Sequence, residues 1–235
     1  PQQAPSPAPP DTPMTHPSTS LAYLAAVTET IKLGTGITLI AQRNPVVLAK
    51  EMGSLDLLSG GRLLLGIGAG YLHQEFSALG IEFATRGART DEYIDAMRAL
   101  WNQPNPSFQG KYVNFNGIQA QPRPAQPGGP PIIVGGASPA ALRRAVTKGQ
   151  GWYGFAMSVD VAKKTCATIR QASDKFERPA DLGPLELSIT PPKPPTKMMA
   201  EDYAAIGITR LIPMLGFYEQ SNILESLDGL ATELL

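Results

Sequence analysis

One cysteine, Cys166, and two histidines, His16 and His73, are the whole supply of thiol and imidazole groups in 235 residues. A lone cysteine excludes an internal disulfide, and a reducing, cytoplasmic setting is the natural expectation for such a chain. No grouping of His, Cys, Asp and Glu has metal-site spacing, so no metal is expected. Net charge is missing as well, because Lys and Arg number 20 and Asp and Glu number 20. The chain therefore offers no long-range field toward nucleic acid or an anionic membrane. No apolar run approaches the roughly 20 residues that span a bilayer, and no charged stretch leads into an apolar signal core. Neither a nucleophile elbow nor a P-loop occurs.

The chain is 43% hydrophobic, enough for a core of single-domain size. Prolines number 23 and crowd the start, where residues 1–19 read as an extended proline-rich arm. The first residue is Pro1 rather than Met, so a processed or shortened chain, or further residues upstream, is expected.

From Ser20 onward helical patterns alternate with short apolar runs, and residues 20–235 read as one domain with an insertion at about 102–130. A helix is expected over Ser20–Ile31 and a strand over Leu33–Ile40. Asn44-Pro45 reads as an N-cap and first turn, with Leu48, Met52 and Leu55 on one face behind it. That face fits a core or a partner subunit equally well. Gly60-Gly61 ends this helix, and Leu63–Ile67 is a strand buried on both faces. Thr90 is the expected cap of a helix carrying Tyr93, Ile94, Met97, Leu100 and Trp101, and Tyr112–Phe115 a possible hairpin. Strands at Pro131–Val134, Trp152–Ala156, Leu185–Ile189 and Leu211–Met214 alternate with helices opening at Ser138-Pro139, Val159, Thr196 and Asn222. Six strands with seven helices argue for parallel strands joined by right-handed crossovers. The expected fold is α/β, a (β/α)8 TIM-barrel type lacking its first two strands in this chain; a doubly wound open sheet competes with it but lacks an early strand-Gly-x-Gly-x-x-Gly-helix unit.

Several stretches, taken in order, resemble a known family. They are Leu21–Gly36 (LAYLAAVTETIKLGTG), Arg43-Asn44-Pro45, and Ala49–Arg62 (AKEMGSLDLLSGGR). Leu65–Tyr71 (LGIGAGY) with Glu75-Phe76, then Arg86-Gly87, the Glu92–Trp101 helix, Pro131–Gly136 (PIIVGG) and Gly151-Trp152 complete the set. Together they resemble the bacterial luciferase-like monooxygenase superfamily, strongly over Leu21–Trp152 and closest to its coenzyme F420-dependent oxidoreductases of actinobacterial type. The resemblance implies a flavin- or deazaflavin-dependent oxidoreductase using F420, with FMN as the alternative, on a small organic substrate. It also implies a homodimer packed through the early helices. The different-class alternative is a shortened barrel that binds a flavin or a partner without catalysis.

Sites on this fold lie at the carboxyl ends of the strands. The resemblance implies that Thr35, Gly36 and Ile37 face the cofactor ring and that the Gly36–Ile37 peptide bond is cis. Gly68 and Gly70 end the next strand, where missing side chains let a cofactor near the backbone or simply make a tight turn. Gly66 reads as a packing residue. Gly135, Gly136, Ala137 and Ser138 precede Pro139 at a helix start, which reads either as an ordinary strand–loop–helix junction with a serine cap or, as the resemblance implies, as a phosphate site built from amides and the helix dipole. No catalytic group stands out; His73, on the mouth side, and His16, in the arm, read as candidate proton donors or as solvated or hydrogen-bonded side chains. Arg86 and Arg89 read as surface ion pairs or as contacts to substrate or cofactor, and Lys193 as a solvated lysine or a contact to an anionic cofactor tail.

Overall fold

The computed structural model describes residues 11–215 and 223–234. Residues 1–10 of the expected arm, and Asn222 and Leu235 of the expected last helix, lie outside that range. The chain divides into two compact units, Pro1–Ile132 and Ile133–Leu235.

In the first unit, α1 (Pro17–Val27) starts three residues ahead of the expected Ser20. Pro17 stands at its first position, where a fixed φ suits a helix and the missing N–H costs nothing. The helix stops at Val27 rather than Ile31, and a buried arginine collects carbonyls from its last turn and from the residues that follow. Arg62 is 8% exposed and donates to Ala25 O (3.0 Å), Thr28 O (2.9 Å) and Ile31 O (3.1 Å). Its remaining donors reach Thr28 Oγ1 (2.9 Å) and Ser59 O (2.7 Å).

The apolar run expected as one strand over Leu33–Ile40 is interrupted. β1 (Leu33–Gly34) and β2 (Thr38–Leu39) both lie parallel to β3 (Leu63–Gly68). Gly34 pairs with Leu64 and Thr38 with Ile67, so residues 35–37 face only 65–66. That one-residue excess is a bulge, which a pattern of hydrophobicity does not encode.

α2 (Pro45–Leu58) is capped as expected, with Asn44 Oδ1 accepting from Val46 N (2.9 Å) and Val47 N (3.3 Å). It closes with Gly61 N on Asp56 O at 2.9 Å. Leu48, Met52 and Leu55 are at most 4% exposed, so this face serves the core of the unit. α3 (His73–Ala78) is a short helix that follows β3. α4 (Arg86–Asn102) begins before Thr90, which is fully buried and donates to Arg86 O at 2.8 Å. A 3₁₀ turn over Phe83–Thr85 feeds directly into α4, so a backbone turn rather than a side-chain cap sets its start. The insertion carries an antiparallel hairpin, β4 (Phe108–Gln109) and β5 (Asn114–Phe115). Its tip is tied to α4 by Glu92, whose carboxylate accepts from Lys111 N, Tyr112 N and Val113 N at 2.7–2.9 Å.

In the second unit, β6 (Ile132–Gly135), β7 (Gly151–Gly154), β8 (Glu186–Ile189) and β9 (Arg210–Leu211) are parallel neighbours in that order. Strand β9 is shorter than the expected Leu211–Met214. Helices α5 (Pro139–Lys148), α6 (Val159–Lys175), α7 (Lys197–Ala205) and α8 (Ile223–Leu234) complete the alternation. Trp152 is fully buried on β7, and Tyr203 is fully buried on α7 with its hydroxyl donating to Met157 O at 2.6 Å. Burial pushes the Tyr203 pKa above its ordinary value. Among the described residues, no helix is long and apolar enough to cross a membrane and no acidic, His and Cys side chains cluster as metal ligands.

Replacing Arg62 by Ala strands three backbone carbonyls and should lower stability by about 3 kcal/mol in urea unfolding. Arg62→Lys should recover little, because one ammonium cannot serve carbonyls on three sides. Tyr203 holds its proton longer folded than unfolded. Its contribution is complete below a pH of about 10 and is lost as pH rises through the folded value. Urea midpoints should therefore fall on the alkaline side, and Tyr203→Phe should flatten that decline.

Candidate cofactor site

The bulge between β1 and β2 holds the first group of candidate residues. Thr35 N donates to Leu64 O at 3.3 Å and Thr35 Oγ1 to Gly66 O at 2.6 Å. The Gly36–Ile37 peptide bond is cis, at the position the resemblance implies. A methyl group on Gly66 would overlap the Thr35 carbonyl oxygen, so this glycine exists to let the bulge lie against β3. A methyl on Gly68 would overlap Ile37 Cδ1. The space expected to be left open at Gly68 is thus filled by the chain itself. Gly70 has φ of 85° and sits against the Phe76 ring, so turn and packing account for it. The neighbouring Thr38 is 4% exposed, and its hydroxyl has no hydrogen-bond partner among the described residues.

His73 is exposed at the start of α3, with its ring 5.1 Å from that of Phe83. His16 is the N-cap residue of α1, and its Nε2 lies 2.6 Å from Arg43 Nη1. Neither histidine has a carboxylate partner among the described residues. The two arginines form no ion pair among the described residues. Arg86 lies 3.8 Å over the Phe83 ring and donates to Gly70 O (3.2 Å) and Phe83 O (3.0 Å). Arg89 donates to Thr85 Oγ1 and Tyr93 Oη at 2.9 Å each and covers the Tyr112 ring at 4.4 Å. Both guanidinium groups therefore brace the loops around α4.

In the second unit, β6 runs into α5 through Gly135, Gly136, Ala137 and Ser138. Gly136 has φ of 101°, a conformation that side chains rarely accept. Ser138 caps the helix by accepting from Ala141 N at 3.2 Å. The N–H groups of Ala137 and Ser138 meet no acceptor among the described residues. Gly136, Ala137 and Ser138 are all exposed. Unused amides ahead of a capped ten-residue helix, with its dipole behind them, are a candidate cradle for an anion. Lys193 is exposed beyond β8.

Two hydroxyl residues escaped the reading of the sequence. Tyr153 on β7 and Thr190 just past β8 place their side-chain oxygens 2.7 Å apart. Burial raises the Tyr153 pKa, and the Thr190 hydrogen bond offsets part of that rise. The available signal was alternation, since Ser188 and Thr190 repeat at the period of one strand face.

A family model described as luciferase-like monooxygenase matches residues 6–196. The chain belongs to that family. An uncharacterized protein of Mycobacterium tuberculosis is 33% identical over 145 residues, 62% of this chain and 51% of its own length. The FMNH(2)-dependent dimethylsulfone monooxygenase of Pseudomonas putida is 34% identical over 142 residues, 59% of this chain and 39% of its own. The monooxygenase RslO1 of Streptomyces bottropensis superposes with a TM-score of 0.67 at 26% identity, covering 92% of this chain and 63% of that one. The coenzyme F420-dependent tetrahydromethanopterin reductase of Methanopyrus kandleri gives 0.65 at 22% identity, covering 75% and 54%. These likenesses assign the fold to the (β/α)-barrel type of the luciferase-like family. The chain spans about half the length of the curated relatives it matches.

Gly66→Ala drives a methyl into backbone rather than into a yielding side chain. It should cost about 3 kcal/mol or leave the protein insoluble. A Gly66→Ala variant that melts like the parent would show that the bulge moves freely.

Proposed function

We propose that this protein is an oxidoreductase that holds coenzyme F420, or FMN in its place, and acts with it on a small organic substrate. The observation that carries this reading is the pair of unused amides at Ala137 and Ser138 ahead of α5. F420 and FMN both bear a phosphate on a polyol tail, and an amide cradle at a helix N-terminus suits that group. Gly135 and Gly136 let the tail approach the backbone, and Ser138 keeps the helix end in place. Thr35, Gly36 and Ile37 are assigned the ring-facing role by the family resemblance. Gly68 and Gly70 are assigned to the cofactor through backbone only, since chain atoms fill the space beside both glycines.

The cofactor when bound supplies the redox chemistry: hydride transfer for F420, oxygen insertion with reduced FMN. The protein supplies position and exclusion of water. Family membership supports the redox class, and relatives named for FMNH(2) and for F420 support the choice of cofactors.

Fluorescence titration of the purified protein with F420, FMN and riboflavin tests the proposal. One of the two phosphorylated cofactors should be quenched on binding. If it is FMN, its affinity should exceed that of riboflavin by about tenfold or more, the value of one charged tail in an amide cradle. Absence of binding for both F420 and FMN would end this reading.

A further inference from the structure

The sheet of the second unit has two unlike faces. In a strand successive side chains point to opposite faces, and residues paired across parallel strands share one. Gly135, Tyr153, Ser188 and Arg210 therefore form one row across β6, β7, β8 and β9. Glu186 and Thr190 flank Ser188 on that face, and Glu186 pairs with Arg210 at 3.0 Å. The opposite face carries Val134, Trp152 and Ile189, each at most 1% exposed. Gly154 belongs to this second face, and its missing side chain leaves room for Met157 Sδ, which lies 4.0 Å from Thr165 Oγ1 of α6. The helices thus cover the apolar face, and the polar row lies on the other. Parallel sheets are ordinarily apolar on both faces, so this row needs a reason.

Tyr153 and Thr190 lie at the carboxyl ends of their strands, and a count of their protons supplies the reason. Their two hydroxyls carry two protons, and one is used between the oxygens, 2.7 Å apart. Neither oxygen has another partner among the described residues. One O–H therefore remains to be given. Thr190 is 3% exposed whereas Tyr153 is half-buried, so the tyrosine is the member that an incoming molecule meets. With Thr190 donating into the Tyr153 oxygen, the phenol proton is freed and its donation strengthened, as along any hydrogen-bonded chain. Burial keeps the phenol protonated well past neutrality. Directly beside Tyr153 in the register is Gly135, which has no side chain, and Gly136 N donates to Tyr153 O at 3.4 Å. The tyrosine thus adjoins the strand that delivers the amides of Ala137 and Ser138.

We infer that Tyr153, backed by Thr190, donates a hydrogen bond to an oxygen of the hydroxylated, phosphorylated tail of the bound cofactor. This rests on the reading under Proposed function. It makes Tyr153 a binding residue for the tail and Thr190 the positioning residue behind it.

The test compares wild type with Tyr153→Phe, Thr190→Val and Thr190→Ser, titrated with FMN, riboflavin and lumiflavin. If the wild type takes F420 instead, F420 and its phosphate-free deazaflavin serve as the probes. Wild-type binding establishes the parent reading, and the variants are scored against it. Tyr153→Phe should weaken the tailed ligand about tenfold, Thr190→Val should weaken it in the same direction, and Thr190→Ser should restore it. A loss shared by FMN and riboflavin assigns the acceptor to the polyol, and a loss confined to FMN assigns it to the phosphate. Lumiflavin has no tail, and its affinity should not move. Unchanged FMN affinity in Tyr153→Phe, at a thermal midpoint matching the wild type, overturns the inference and leaves the parent reading intact. An equal loss for lumiflavin overturns it too, because a residue acting only through the fold would weaken every ligand alike.

Discussion

Arginines bound to the ends of helices hold these two units together internally. An α-helix leaves its last carbonyls without partners, and a side chain brought from elsewhere in the chain can satisfy several at once. Arg62 does so for α1, Arg123 for α4 through Leu100 O and Gln103 O, and Arg178 for α5 through Val146 O and Gly149 O. Arg170 reaches Ile206 O just past α7. Each guanidinium brings positive charge to the negative end of a helix dipole and offers donors in a rigid fork. The loops that carry these arginines are thereby located relative to the helices, and the strands that follow inherit their positions.

With the helices pinned at their carboxyl ends, their amino ends are free for other work. At α5 the chain arrives through Gly136 in a left-handed conformation, and Ser138 turns inward to cap. The amides of Ala137 and Ser138 are left unused at the surface. In the first unit the same economy governs the β1–β2 bulge. One additional residue bends the strand outward, and Gly66 and Gly68 give up their side chains so that it can settle against β3. Both features place backbone rather than side chains at the positions proposed to meet the cofactor. That is consistent with the near absence of histidine and cysteine from the chain.

Much of this was legible from residue order. Asn44 and Ser138 cap the helices expected of them, because capping depends on two or three neighbouring positions. The alternation of strands and helices in the second unit was equally clear, since each element is long enough to show its period. Thr90 misled because a threonine ahead of an amphipathic run has the composition of a cap, while the backbone had already turned helical at Arg86. The Leu33–Ile40 run misled because its bulge arises from register against β3, about thirty residues away, and not from its own hydrophobicity. Arg86 and Arg89 were read as surface ions, although aromatic rings from neighbouring turns claim both.

Residue order alone determined the family, the alternation of elements, the Asn44 and Ser138 caps and the glycines at the strand exits. These are local patterns, and their physics lies within a few residues. Tertiary structure alone decided that Leu48, Met52 and Leu55 belong to a core, that Ile37 occupies the space beside Gly68, and that the Tyr153 and Thr190 hydroxyls meet. Each of these depends on which strand or helix lies alongside, and burial and hydrogen-bond partners exist only once distant segments have been brought into contact.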